Sequence, residues 1–216
     1  MDWTRPIDGY CERLGPGLWA EPVNAITNLA FGIVALWLWR RTDGLGRVLC
    51  VCLGAIGLGS TLFHTVAQPW AALLDVVPIL GFVLIYVFAA TRDFWGVSPG
   101  RALGITLLFF PYAALTGWGF ARIEALGGSA VYAPVPLLIA LYALALRQRA
   151  PEVARGLAIG AGLLVLSLTA RTLDAPLCPL LPLGTHFLWH LLNAVMLGWM
   201  IHVWTQARLA TRAHPM

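Results

Sequence analysis

Three histidines lie in otherwise apolar stretches of the sequence, where an ionisable side chain is costly and usually faces the interior of a helix bundle. They are His64, His186 and His190. His186 and His190 are four residues apart, so on a helix their imidazoles share one face and can reach the same metal ion. A hydrogen bond between helices would explain any single one of them equally well. Three imidazoles at one depth in the membrane favour a metal site instead.

Three neutral imidazoles and a water molecule form an open zinc site, in which the metal activates the water and polarises a substrate carbonyl. Hydrolysis at such a site also needs a base. The soluble protease pattern HExxH does not supply it, because the residue after His186 is Phe187. Asp75, inside an apolar stretch at nearly the depth of His64, is the best candidate for the base. Its alternative role is to orient a ligating histidine.

Ser60 stands one helical turn before His64, so its hydroxyl shares a helix face with that histidine. In this position it could stabilise an oxyanion. The alternative is a hydroxyl that donates back to a carbonyl of its own helix. Asp75 and Ser60 together turn a metal site that could be structural into a candidate hydrolytic centre.

The composition indicates which elements must position these residues. The 216 residues are 59% hydrophobic and 11% charged, far more apolar than an average soluble domain. Several apolar stretches reach the roughly 20 helical residues that span a bilayer. We therefore predict an all-α integral membrane protein, a seven-helix transmembrane bundle in one domain over residues 1–216. The predicted spans are Pro22–Trp39, Val48–Ala67, Trp70–Ala90, Leu103–Phe120, Val131–Leu146, Leu157–Ala170 and His186–Thr205.

The basic residues are all arginines, and they divide unequally between the two sides of the predicted bundle. Ten fall after the first, third and fifth spans and in the tail, and four fall on the opposite side. Because positively charged loops stay in the cytoplasm, we predict residues 1–21 outside and the tail, residues 206–216, in the cytoplasm. The histidine site then lies near the outer face. This distribution indicates membrane topology and not nucleic-acid binding.

Five short segments occur in a fixed order over nearly the whole chain. They are YCE at 10–12, AE at 20–21, GLGSTLFH at 57–64, LLD at 73–75 and HFLWH at 186–190. Together they resemble the alkaline ceramidase family, within the superfamily that includes the adiponectin and progestin receptors. The resemblance implies a seven-helix fold and zinc-dependent hydrolysis of the ceramide amide bond to a fatty acid and a sphingoid base.

The resemblance also implies roles for the residues singled out above. His64, His186 and His190 would bind zinc. Asp75 would activate the water and protonate the leaving amine, and Ser60 would stabilise the oxyanion. These roles agree with those argued from spacing.

A calcium site ahead of the first span is implied by the same resemblance. Its matching oxygen donors here are Asp8, the Tyr10 carbonyl, Glu12 and Glu21. Two departures affect this site: an extra residue separates Asp8 from the aromatic position, and Leu14 stands where the family pattern has an asparagine. The alternative is a solvated acidic loop.

Cys11 and Cys178 both fall on the predicted outer side, where an oxidising compartment would allow them to pair. The resemblance also suggests this bridge. Cys50 and Cys52 fall near the cytoplasmic start of the second span and are expected to be small apolar residues, not metal ligands. His202 lies off the face of His186 and His190, and His214 is in the tail, so neither is expected at the site.

The expected function is therefore a zinc-dependent membrane amidase acting on ceramide or a related N-acyl lipid. The lipid would reach the site sideways from the outer leaflet. The arginine-only composition suggests a bacterial source, so the expected location is a bacterial inner membrane with the site toward the periplasm. One alternative is a lipid receptor or lipid-binding protein with a structural zinc. A haem protein is disfavoured, since His186 and His190 on one helix cannot bind opposite faces of one haem.

Overall fold

The structure, a computed structural model, describes residues 2–213. Over these residues the chain forms seven helices and no β-strand. They are α1 (Pro22–Trp39), α2 (Leu45–Val66), α3 (Pro69–Trp95), α4 (Pro99–Phe120), α5 (Pro134–Leu146), α6 (Pro151–Leu177) and α7 (His186–Ala213). All except α5 are long and apolar enough to cross a membrane, and α5 is a shorter apolar helix. The predicted all-α, seven-helix fold is confirmed, and its orientation in the membrane stays a prediction.

Prolines fix where most of the helices begin. The helix-opening prolines are Pro22, Pro69, Pro99, Pro134 and Pro151. Proline suits the first turn because no helical partner is needed there for the missing N–H. This explains why α5 begins at Pro134 and not at Val131 as predicted. A short 3₁₀ helix, Glu124–Ser129, precedes it.

Two helices run further than the sequence predicted. α6 was expected over Leu157–Ala170 but extends over Pro151–Leu177, because its charged end residues have partners within the protein. α7 continues beyond Thr205 to Ala213. In its last turns Arg208 and Arg212 pair with Asp43 at 3.5 Å and 2.8 Å, so the segment predicted as a tail is the end of a helix.

Helix α7 lies at the centre of the bundle, in contact with α1, α2, α3 and α6. The interior around it is apolar and includes Leu49, Leu53, Ile56, Leu157, Ile201 and Trp204. Large apolar side chains also remain exposed on the outer surface, among them Leu36, Leu58, Leu115, Val165 and Val195. A bundle that is apolar inside and outside is what a hydrocarbon solvent requires. The protein is therefore a multi-pass membrane protein.

Helices α2 and α3 approach each other closely at Gly59. A Cβ atom at this position would overlap the main-chain carbonyl of Leu74 on α3. Small residues of this kind let membrane helices pack backbone against backbone. The contact holds Asp75, the residue after Leu74, at the level of Ser60 on α2.

Candidate metal centre

The three predicted histidines converge in the interior of the bundle. His64 lies in the last turn of α2, His186 is the first residue of α7, and His190 follows one turn later. Their side chains are 1%, 2% and 1% exposed. Their potential ligand atoms all lie within 4.8 Å of one another, and in residues 2–213 they form the one group of three or more His, Cys, Asp or Glu residues able to share an ion.

Two nitrogen atoms of this histidine trio are buried without a hydrogen-bond partner in the described part of the chain. They are Nδ1 of His186 and Nε2 of His190. A buried polar atom without a partner costs about 1–3 kcal/mol. A metal ion would satisfy such nitrogens, because it takes the lone pair of a neutral imidazole. The trio therefore fits a metal ion with three imidazole ligands and an open position.

Two further ring nitrogens of the trio are held by neighbouring residues. Nδ1 of His64 lies 2.6 Å from Oε2 of Glu21, and Nδ1 of His190 lies 3.0 Å from Oγ1 of Thr27. A carboxylate can only accept, so His64 donates to Glu21 and keeps the lone pair of Nε2 free. Partners of this type orient metal-binding histidines.

Thr27 fixes the tautomer of His190 in the same way. With its hydroxyl assigned as donor to the carbonyl of Val23 at 2.8 Å, its oxygen accepts from Nδ1 of His190. The proton is then on Nδ1, and the lone pair is on the orphaned Nε2. Sequence analysis missed Thr27, because a threonine bonded back to its own helix is ordinary in a membrane span.

Asp75 and Ser60 line a cavity that reaches the trio. Its polar lining consists of Ser60, Asp75, Tyr132, His190 and Asn193, and the remainder is apolar. Thr61 and Thr65 donate back to helix carbonyls, but Ser60 makes no such bond in the described structure. The structure thus brings Asp75 and Ser60 to the wall of one cavity with a ligand-candidate histidine. Their chemical roles stay predictions.

A second, apolar cavity lies beside this one toward the opposite end of the bundle, and we call the two adjoining cavities together the apolar channel. The second cavity shares Val83, Val135, Met196 and Leu197 with the first. Along α3 the two cavities extend from Asp75 to Ala90, a length of about 22 Å at 1.5 Å per residue. At the far end, the hydroxyl groups of Thr91 and Tyr142 bond at 2.7 Å. The lining of both cavities is apolar at nearly every position, which suits a hydrocarbon chain.

Asp174 anchors the start of α7. Its Oδ1 accepts the backbone N–H groups of Thr185 at 2.7 Å and His186 at 2.9 Å, which caps the helix. Its Oδ2 accepts the N–H of Cys11 at 3.0 Å. Gly184, at φ +67°, passes so close to Asp174 that a Cβ would overlap the carboxylate. Sequence analysis missed Asp174 because the predicted sixth span ended at Ala170. Asp174 was therefore treated as a loop residue, although it lies inside a helix.

The predicted disulfide is confirmed: Cys11 and Cys178 are bonded, with their Cα atoms 5.3 Å apart. The bridge and Asp174 together tie the amino-terminal segment to the end of α6 and the start of α7. As a result, the ring of Tyr10 stacks on His186 with a centroid separation of 3.7 Å. Burial raises the pKa of Tyr10 to about 12, so its hydroxyl stays protonated.

Arg171 is a further residue of the site that the sequence did not reveal. Its guanidinium lies 5.2–6.0 Å from the ring centroids of Tyr10, Tyr132 and Trp189, and it donates to the hydroxyl of Ser129 at 3.0 Å. Arginine inside an apolar helix was a usable signal, but the short predicted span placed it in a loop.

The residues expected to bind calcium do not fit a calcium ion. Glu12 accepts the N–H groups of Val23 at 2.6 Å and Asn24 at 2.8 Å, so it caps α1. Burial works to raise the pKa of Glu21, but hydrogen bonds from His64, Arg13 and Asn24 hold it below the ordinary value. Asp8 is exposed, and it does not join Glu12 and Glu21 in a group able to share an ion among residues 2–213.

The remaining histidines and cysteines lie outside the trio. His202 packs beside Trp199, with ring centroids 5.7 Å apart, and His214 lies outside the described residues. Cys50 is buried and Cys52 is partly buried, both as free thiols.

A family model described as Ceramidase matches residues 11–215. No curated protein matches the chain.

Proposed function

The chain belongs to the ceramidase family, and from this premise we propose that it is a zinc-dependent membrane amidase acting on ceramide or a related N-acyl lipid. The products would be a free fatty acid and a sphingoid base or another amine. One observation carries the proposal: the histidine trio opens into a cavity that also holds Asp75 and Ser60 and continues as an apolar channel. The candidate metal ligands, the candidate acid–base group and an apolar surface are thus adjacent.

Zinc is proposed because three neutral imidazoles with an open fourth position are a donor set of catalytic zinc sites. His64, His186 and His190 would hold it, with Glu21 and Thr27 keeping two of the rings in the required tautomer. When bound, zinc supplies the Lewis acid that activates water and polarises the amide carbonyl.

Asp75 would carry the proton through the reaction. It accepts a proton from the attacking water as the new C–O bond forms, and it returns that proton to the nitrogen as the C–N bond breaks. The Ser60 hydroxyl would donate to the carbonyl oxygen, on which negative charge develops. The fatty acid and the neutral amine then leave, and Asp75 is again ionised.

The apolar channel would hold one hydrocarbon chain of the lipid. Its walls include Val83 of α3 and Val135 of α5, two helices that meet at the far end of the channel, where Thr91 bonds Tyr142. We propose that the lipid enters this channel sideways from the bilayer, since an insoluble substrate needs such a route. The lining is apolar at nearly every position, so it supports a lipid chain without selecting one head group.

We propose a bacterial inner membrane with the site facing the periplasm. The arginine distribution supports this orientation. The Cys11–Cys178 disulfide supports it independently, because it lies at the same end of the bundle as the trio and requires an oxidising compartment.

The proposal is tested with the purified protein in lipid nanodiscs and ceramides carrying a labelled acyl chain, together with other N-acyl lipids. We expect release of labelled fatty acid that stops on chelation and returns when zinc is added. Asp75→Asn should retain zinc and lose hydrolysis. If the protein binds these lipids but releases no fatty acid, it is a lipid-binding protein with a structural metal, and the proposed activity is wrong.

A further inference from the structure

Arg13 is a buried arginine beside the histidine trio. Its residue is 6% exposed, and a buried charge is tolerated only when it is fully paired. The guanidinium donates to Oε1 of Glu21 at 2.5 Å, to the carbonyls of Gly15 at 3.2 Å and Gly17 at 3.5 Å, and to the carbonyl of His64 at 3.1 Å.

Every partner of this guanidinium is an oxygen atom. One is a carboxylate oxygen, and three are main-chain carbonyl oxygens. Hard cations such as calcium take the same kinds of ligand. A guanidinium also suits such oxygen ligands, because it has five N–H donors, no acceptor and a permanent positive charge. Arg13 therefore occupies the position of a cation in an oxygen cage.

The cage is connected to His64 in two ways. Arg13 bonds one oxygen of Glu21, and the other oxygen of Glu21 accepts from Nδ1 of His64. Arg13 also bonds the main-chain carbonyl of His64. That carbonyl lies in the last turn of α2, where carbonyls lack helical partners and a positive charge is favourable. The guanidinium thus fixes both the backbone and the ring of this ligand.

The surroundings of Arg13 are unfavourable for a calcium ion. Both oxygens of Glu12 and both oxygens of Glu21 already accept hydrogen bonds. Leu14 provides no side-chain oxygen and is 91% exposed. A divalent ion bound to Glu21 would also sit against a positive guanidinium, which repels it.

We propose that Arg13 is a built-in cation that takes the place of a dissociable calcium ion and positions His64 for metal binding. It is a positioning residue, since it acts on the metal only through Glu21 and His64. The inference goes beyond the proposed function: it concerns the assembly of the metal site and holds for any substrate.

The first test is calcium binding to the wild-type protein. Purified protein of verified zinc content is equilibrated with radioactive calcium up to about 10 mM, above the affinity range of extracellular calcium modules. We expect no stoichiometric calcium binding and no change in thermal unfolding on adding calcium. Stoichiometric binding, or a calcium-dependent rise in Tm, would overturn the proposal.

The second test removes the charge. Arg13→Met keeps much of the side-chain length, and Arg5→Met is the matched control at an exposed arginine of the same segment. We expect Arg13→Met to lose zinc to a competing chelator about 10- to 100-fold more readily, as for other partners of metal ligands. Arg5→Met should match the wild type. Equal zinc retention by Arg13→Met would contradict the positioning role.

A third variant covers the case in which Arg13→Met does not fold. Arg13→Ala leaves a space at the cage, so we expect ethylguanidinium added during purification to restore zinc content to this variant. No restoration, with wild-type zinc content unchanged by the same additive, would count against the proposal. None of these measurements requires turnover, so a failed ceramide assay and a failed Arg13 test are distinguishable.

Discussion

Thr27→Val removes one hydroxyl and nearly preserves the shape of the side chain. In the wild type this hydroxyl donates to Val23 and accepts from Nδ1 of His190. Valine removes this acceptor from the N–H of a residue that is 1% exposed, and a buried donor that loses its partner costs about 1–3 kcal/mol. Moving the proton to Nε2 would relieve the loss, but the proton would then occupy the lone pair that the metal needs. Either way the metal complex is weakened.

The expected magnitude is a 10- to 100-fold loss of zinc affinity, the usual effect of losing a hydrogen-bond partner of a metal ligand. This corresponds to about 1.4–2.8 kcal/mol, at 1.4 kcal/mol for each factor of ten. Zinc affinity is measured by competition with a chromogenic chelator in detergent solution, and circular dichroism checks that the helices are intact.

Thr169→Val is the matched control for this measurement. Thr169 also donates to the carbonyl four residues earlier, Val165, at 2.9 Å, but it is exposed on the outer surface of α6 and has no imidazole partner. We expect this variant to bind zinc like the wild type. If Thr27→Val and Thr169→Val both bound zinc with wild-type affinity, the reasoning about the His190 tautomer would be refuted.

Three other changes test the remaining parts of the site. Asp75→Asn should lower fatty acid release by about 100-fold or more with zinc retained, since the general base is lost; unchanged release would exclude this base. Gly59→Ala should destabilise the bundle by about 1–3 kcal/mol, because the added Cβ overlaps α3. Gly54→Ala on the same helix is the control, since a Cβ there meets open space. Equal Tm values for the two variants would contradict the close contact at Gly59. Val83→Trp should block the channel and reduce the turnover of long-chain lipids more than that of short-chain lipids. Val77→Trp, at an outward-facing position of the same helix, should leave turnover unchanged. An unchanged chain-length profile for Val83→Trp would argue against the channel.

The histidine trio could be predicted from sequence because ionisable residues in apolar spans stand out. Asp75 could be named for the same reason, and the structure places it and Ser60 on one cavity wall. The number of helices could be predicted from hydropathy, and the errors in the prediction were in the positions of the helix ends. Charged residues such as Asp174 looked like loop residues but have partners inside the protein.

The partners of the trio could not be predicted in this way. Glu21 was assigned to calcium because a carboxylate before a helix looks the same whether it faces an ion or an arginine. Only the fold brings Arg13 and His64 to its two oxygens. The channel was also hidden, since residues such as Val83 and Met196 do not differ in type from those that face the bilayer.

The division of the trio between α2 and α7 has a consequence for biosynthesis. His64 and His190 are separated by 126 residues, so at translation rates of about 5–20 residues per second their synthesis is about 6–25 s apart. A nascent chain that has inserted only six helices contains His64 but lacks His186 and His190. It therefore also lacks the N–H group of residue 186 that Asp174 accepts and the imidazole on which Tyr10 stacks. Metal acquisition must therefore follow the insertion of the final helix, and chains terminated before His186 reach the membrane without a metal site.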